Sequence, residues 1–154
     1  MSVAIAILAW RPSNRLVDLV RTLSERGAPA ILVVDDGSGP ECRGVFEDAA
    51  AVAGVQVLRH AVERGKGPAL QTAINHALCT IPDLGGLVAA GTGGRAEDIL
   101  RVAAALRADP ESPILDSQTG LRGIPAKLLP GLLQSETPGG PPHRASGWQP
   151  RLLT

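Results

Sequence analysis

The chain has 154 residues, enough for one domain with a real core and too few for two comfortable ones. Its 15 basic and 15 acidic residues cancel and form no long block of one sign, which argues against charge-driven nucleic-acid binding. Two Trp, one Phe and no Tyr leave the core to Ala, Val, Leu and Ile and make base-stacking platforms scarce.

Val3 to Ala9 is apolar throughout, as a strand buried on both faces is. It is too short for a signal-peptide core and has no basic region before it. Nothing approaches the roughly 18 apolar residues of a membrane span, so the protein is expected in the cytoplasm or peripherally at the inner membrane face. Leu16, Leu19, Val20 and Leu23 fall at i, i+3, i+4 and i+7, which predicts a helix with Pro12 in its first turn and Gly27 at its end. Ala30 to Val34 reads as a second strand, stopped by Asp35-Asp36-Gly37-Ser38. A helix over Glu41 to Ala53 and a strand over Val55 to Arg59 follow.

Beyond "AVERGKG" a helix is predicted with Leu70, Ala73, Ile74, Ala77 and Leu78 on one face. Leu87 to Ala90 is the fourth strand. The helix after it buries Ile99, Val102, Ala103 and Leu106 and sets Glu97 and Asp98 near its positive end. After Pro110 the pattern weakens to a short strand, a turn and a short helix around Ala126 to Leu133. Residues 1–133 thus make one domain. Residues 134–154, Pro- and Gly-rich and without periodicity, are expected to be a disordered or loosely attached tail. Cys42 and Cys79 form no C-x-x-C pair and read as small buried apolar residues in a reducing compartment. His60, His76 and His143 lack metal-ligand spacing and read as surface or boundary residues.

Repeated strand–helix units predict an α/β fold with a mostly parallel sheet and helices on both faces. Ligands of such sheets bind beyond the carboxyl ends of the strands, where strand order reverses. There "AWRP", "DDGSG", "ERGKG" and "GTGG" come together. Asp35 and Asp36 can accept hydrogen bonds from a base N–H or ribose hydroxyls, with Gly37 allowing a sharp turn and Ser38 bonding backbone groups within it. The same residues also suit a solvated turn that caps the next helix. Arg64-Gly65-Lys66-Gly67 sets two cations among glycines at a helix start, suited to a pyrophosphate or to an ordinary helix-start loop.

Three other chemistries fit poorly. Adjacent aspartates point in different directions, so the D-x-D-G spacing of haloacid-dehalogenase-type phosphatases fails. The acids that response-regulator receivers need after their first and third strands are missing. Gly91-x-Gly93-x-x-Ala96 fits a dinucleotide glycine pattern, yet it follows the fourth strand instead of the first, and Asp109 and Glu111 fall in a Pro-rich connection.

Five segments, "VAIAILAWRPSNRLVDLVRTL", "ILVVDDGSG", "VQVLRHAVERGKGPALQTAINHAL", "EDILRVAAAL" and "DSQTGLRGIP", cover most of residues 3 to 130. In that order they resemble the family 2 inverting glycosyltransferases of A-type fold, above all bacterial dolichyl- or polyprenyl-phosphate sugar synthases. The resemblance implies a single Rossmann-like A-type glycosyltransferase domain. It implies transfer of a hexose from a UDP- or GDP-sugar to an acceptor such as a polyprenyl phosphate, by direct displacement with inversion. Asp35 and Asp36 would then contact base and ribose, and Ala9, Arg11 and Ser38 would line the nucleotide. Lys66 and Arg122 would hold phosphate, and Asp116 would activate the acceptor.

The chain departs from that family at several points. Trp10 and Arg11 replace the common A-Y-N-P form, and Glu63 stands where Asn is usual. In the family the fourth strand ends in D-A-D-G, whose carboxylates hold Mg²⁺ or Mn²⁺ against the sugar diphosphate. Here the loop reads Gly91-Thr92-Gly93-Gly94, so Gly91 and Gly93 stand at the substrate with no side-chain ligand, and no metal residue is expected. Only "ESP" joins "ALRADP" to "ILDSQTG", where the resembling enzymes carry a few tens more residues, so the acceptor half is shortened. Two outcomes remain open: a hexosyltransferase of impaired activity, or a non-catalytic nucleotide-binding pseudoenzyme or decayed remnant.

Overall fold

The computed structural model describes residues 1–134 and 149–153. In chain order the elements are β1 (Ser2–Ala9), α1 (Arg15–Glu25), β2 (Ile31–Asp36), α2 (Arg43–Ala50), β3 (Val55–His60), α3 (Lys66–Thr80) and β4 (Leu84–Gly91). There follow α4 (Ala96–Ala108), β5 (Ile114–Asp116), β6 (Arg122–Pro125), α5 (Leu129–Leu133) and β7 (Arg151–Leu153). Short 3-10 turns at Pro40–Cys42 and Ala126–Leu128 lead into α2 and α5.

The strands form one sheet in the order β3-β2-β1-β4-β6-β5-β7. Only β6 runs against the rest, pairing antiparallel with both β4 and β5. The two-residue period of the strands divides the core between the two faces. Val3, Ile5, Ile7, Ile31, Val33 and Val88 pack with the apolar stripes of α1, α2 and α4. Ala4, Ala6, Leu32, Val34, Leu87 and Ala89 pack with α3 and α5. Ala69, Ala73 and Ala77 line the buried face of α3, and their small side chains let the helix pack closely on the sheet.

The expected α/β architecture is therefore the observed one, with differences at element ends. α1 begins at Arg15 after Asn14, so Pro12 is buried ahead of the helix and not in its first turn. α2 stops at Ala50, three residues early, because Ala51 to Gly54 turn the chain into β3. β2 runs on through Asp35 and Asp36, which makes the two acids the last residues of the strand. Leu78, expected on the buried face of α3, is 37% exposed because it lies about 100° around the helix from Ala77. Cys42 is half-buried and Cys79 exposed, so neither is the buried apolar filler that the sequence suggested. β6 is an element that the sequence pattern did not show.

The tail is the largest surprise. Residues 135–148 and Thr154 lie outside the described residues. Arg151–Leu153, expected to be loosely attached, is a strand parallel to β5. Arg151 N–H donates to Pro113 O at 2.7 Å, and Ser117 N–H donates to Leu153 O at 3.2 Å. The outer edge of β5 offers unpaired backbone groups, and an extended "RLL" segment satisfies them whatever its local composition predicts. Among the described residues no helix is long and apolar enough to cross a membrane.

Candidate nucleotide-sugar site

Strand order reverses between β1 and β4, so the crevice of this sheet opens beyond Ala9 and Gly91. The parallel β2–β3 register sets Asp35 beside Arg59 and Asp36 beside His60 at the same edge. Successive strand residues point to opposite faces, so the two acids do different work.

Asp35 is 4% exposed and organises the turn after β2. Its Oδ1 accepts the Ser38 N–H at 2.9 Å, and its Oδ2 faces Arg59 Nε at 3.4 Å. Ser38 Oγ in turn accepts the Arg11 N–H at 2.9 Å, tying the loop after β1 to the turn after β2. Arg11 holds an unusual φ of 46°, and its guanidinium lies 4.9 Å over the Trp10 ring. Gly37 has φ +70°, and a Cβ there would overlap the backbone of Val62 and Glu63. That close approach seats the loop between β3 and α3 on the β2 turn. Asp35, Ser38, Arg43 and Arg59 line a cleft of about 260 Å³ beside it.

Asp36 was expected to touch base or ribose; the geometry gives it another task. Its Oδ1 accepts from His60 Nδ1 at 2.7 Å and from the Arg64 N–H at 2.9 Å, and its Oδ2 accepts the Gly65 N–H at 2.9 Å. Burial, the largest single influence, pushes this carboxyl up. The Arg64 amide, the His60 ring and the Gly65 amide together outweigh it and hold the group below the ordinary carboxylate range. Asp36 thus clamps the loop that leads into α3.

Lys66 is the first residue of that helix, at its positive end. The antiparallel β4–β6 register brings Arg122 beside Ala89, two residues before Gly91. Lys66, Gly91, Thr119, Leu121 and Arg122 therefore line one cleft of about 270 Å³, joined by Leu8, Ala89, Ala90 and Gly120. Neither Lys66 nor Arg122 has an ion-pair partner among the described residues. Burial presses the Arg122 guanidinium below its ordinary value, the mark of a cation short of solvent and of counter-charge. A second cleft of about 390 Å³ shares Gly91, Thr119 and Leu121 and adds Gly93, Gly94, Arg95 and Asp98.

Asp116, expected to activate an acceptor, is 0% exposed. Its Oδ2 accepts from Thr119 Oγ1 and from an Arg101 guanidinium N–H, each at 2.7 Å, and its Oδ1 accepts the Gln118 N–H at 3.1 Å. The Thr119 hydroxyl first, with the Gln118 amide and Arg101 behind it, holds this carboxyl low against the opposing effect of burial. A carboxylate so engaged is a poor base, and its role is to fix the 116–121 turn that presents Thr119 and Leu121 to the clefts. Asp98 is the carboxylate that does line one of them.

The residues at the fourth-strand end do not fit a divalent cation. Gly91, Thr92, Gly93 and Gly94 supply no carboxylate, and no cluster of three His, Cys, Asp or Glu suited to a metal occurs among the described residues. Lys66 and Arg122 share the first cleft with Gly91, and Arg95 and Asp98 line the second beside Gly93 and Gly94.

No family model matches the chain, and no curated protein matches it. Solved structures do. Staphylococcus aureus TarS 1–349 in complex with UDP-GlcNAc aligns at TM-score 0.58 and 16% identity, over 75% of this chain and 34% of that one. A second structure of TarS 1–349 aligns at TM-score 0.60 and 12% identity, over 85% and 49%. A provisionally assigned nucleotide-diphospho-sugar transferase of Desulfovibrio desulfuricans G20 aligns at TM-score 0.57 and 13% identity, over 99% and 80%. At such identities the likeness is one of fold: the chain shares the α/β fold of these structures. It spans from about a third to about half the length of the two TarS chains.

Proposed function

We propose that the protein binds a nucleoside-diphosphate sugar, a UDP- or GDP-hexose, and holds its diphosphate without a resident metal. The observation that carries this is the cleft in which Lys66 and Arg122 stand without an anionic partner among the described residues, next to Gly91. A diphosphate supplies the missing negative charge, and Lys66 stands at the start of α3, whose positive end favours an anion. The base and ribose then lie toward Asp35, Ser38 and the loop after β1, where the strand order reverses. That TarS was solved with UDP-GlcNAc supports the choice of ligand class.

Titration calorimetry with uridine, UMP, UDP and UDP-GlcNAc tests the reading. UDP is expected to bind at least about tenfold more tightly than UMP, because the second phosphate completes the contact with two cations. Equal affinities for uridine and UDP contradict it.

A second reading is hexosyl transfer to an acceptor such as a polyprenyl phosphate in the family 2 manner. One observation favours it: the second cleft adjoins the first, sharing Gly91, Thr119 and Leu121 with it, and an acceptor beside the sugar would lie there. Against it, the expected base Asp116 is fully engaged. Acceptor-dependent release of UDP from UDP-GlcNAc distinguishes a transferase from a protein that only binds.

A further inference from the structure

His60 reads from sequence as a boundary histidine, yet its side chain is 6% exposed and both ring nitrogens are engaged. Nδ1 lies 2.7 Å from Asp36 Oδ1, and Nε2 lies 2.7 Å from Thr72 Oγ1. An ionised carboxylate only accepts, so Nδ1 carries a proton. Thr72 Oγ1 also lies 3.0 Å from Pro68 O, within the first turns of α3.

These contacts form a closed circuit. Thr72 on α3 meets His60 at the end of β3, and His60 meets Asp36 at the end of β2. Asp36 then grips the Arg64 and Gly65 amides, which lead back into α3 at Lys66. The circuit encloses the segment that carries the cleft's exposed cation. Loop residues 61 to 64 are exposed; the backbone of Val62 and Glu63 rests on Gly37, and beyond that contact these hydrogen bonds fix the path of the segment into α3.

We propose that His60 is a positioning residue for the diphosphate cleft. By bridging Asp36 and Thr72 it fixes the Arg64–Gly65 turn and so sets Lys66 and the first turn of α3 where a diphosphate meets them. The proposal rests on the diphosphate reading above for its ligand, and on geometry alone for its effect on the loop. A merely structural buried histidine behaves differently: its loss lowers overall stability and leaves the loop no more mobile than the rest of the fold.

The test compares wild-type protein with His60→Ala, His60→Asn and Thr72→Val. Amide hydrogen exchange is read at Arg64 and Gly65 against β1 and β4, with parallel titrations of UDP and uridine. His60→Ala is expected to speed exchange at Arg64 and Gly65 about tenfold more than in β1 and β4, and to weaken UDP about tenfold while leaving uridine unchanged. His60→Asn can reproduce the donor to Asp36 without reaching Thr72, and should recover part of both effects. Thr72→Val opens the other end of the circuit and keeps the test sharp if His60→Ala fails to fold. Exchange that rises uniformly across the sheet, or not at all at Arg64 and Gly65, overturns the proposal. Absence of UDP binding in the wild type overturns the diphosphate reading instead, and the exchange measurement still decides whether His60 holds the loop.

Discussion

Alanine at both Lys66 and Arg122 should abolish measurable binding of UDP-GlcNAc, and either substitution alone should weaken it roughly ten- to a hundredfold, in keeping with the worth of charge-assisted hydrogen bonds. The two side chains reach the cleft from different elements, one from the start of α3 and one from β6. Neither is committed to a carboxylate among the described residues, so neither must break an ion pair before it binds. Arg122 should be the more costly of the two, because it is half-buried and Lys66 is exposed to competing water and salt. Uridine affinity should be unchanged in all three variants. Calorimetric titration of each, with circular dichroism to confirm folding, checks the expectation. Unaltered UDP-GlcNAc affinity in the double variant would remove the cleft from the site.

Gly37→Ala should be the most damaging of the small substitutions near the site. The backbone there holds φ +70°, and the added Cβ would fall on the main chain of Val62 and Glu63, which cannot move aside as a flexible side chain can. Strain and overpacking together should cost about 2–4 kcal/mol, which lowers the thermal midpoint by roughly 5–15 °C in a domain of this size. The damage should also reach the ligand, because relief of the clash displaces the loop that leads to Lys66. Gly91→Ala is the matched control: a Cβ at Gly91 meets nothing within 4 Å, so its midpoint should scarcely change. Thermal unfolding of the two variants side by side decides the matter.

The parts of this protein that are legible in its sequence are those that local period dictates. Leu16, Leu19, Val20 and Leu23 announce α1, the unbroken run Val3 to Ala9 announces a strand covered on both faces, and Ile99 to Leu106 announces α4. Alternation of the two periods also implies the parallel sheet and the edge on which the polar loops gather. β6 and β7 were not legible, because the edges of β4 and β5 that they pair with, and not a pattern of their own, make them strands.

Site residues divide in the same way. Lys66, Gly91 and Arg122 come together as the order of the segments suggests. The roles of Asp36 and Asp116 could not be read from spacing, since a carboxylate's task depends on which donors surround it. Both turn inward onto amides and cations of their own chain. The place of His60 is hidden in the sequence for a different reason. Nothing marks it as a ligand, and only the strand register that sets it opposite Asp36 reveals its place. Thr119, Arg95 and Asp98 enter through the folding of turns that the sequence alone leaves open.

In the proposed binding mode cations, and not a bound metal, meet the diphosphate. The most direct measurement is UDP-GlcNAc titration in chelator and in Mn²⁺, for the wild type and for a Gly91→Asp, Gly93→Asp double variant. Both glycines have open space where a side chain would grow, so the variant should fold. The wild type should bind equally in both conditions, and the variant should bind more tightly with Mn²⁺ than without. Wild-type binding that vanishes in chelator and returns with Mn²⁺ would contradict the account.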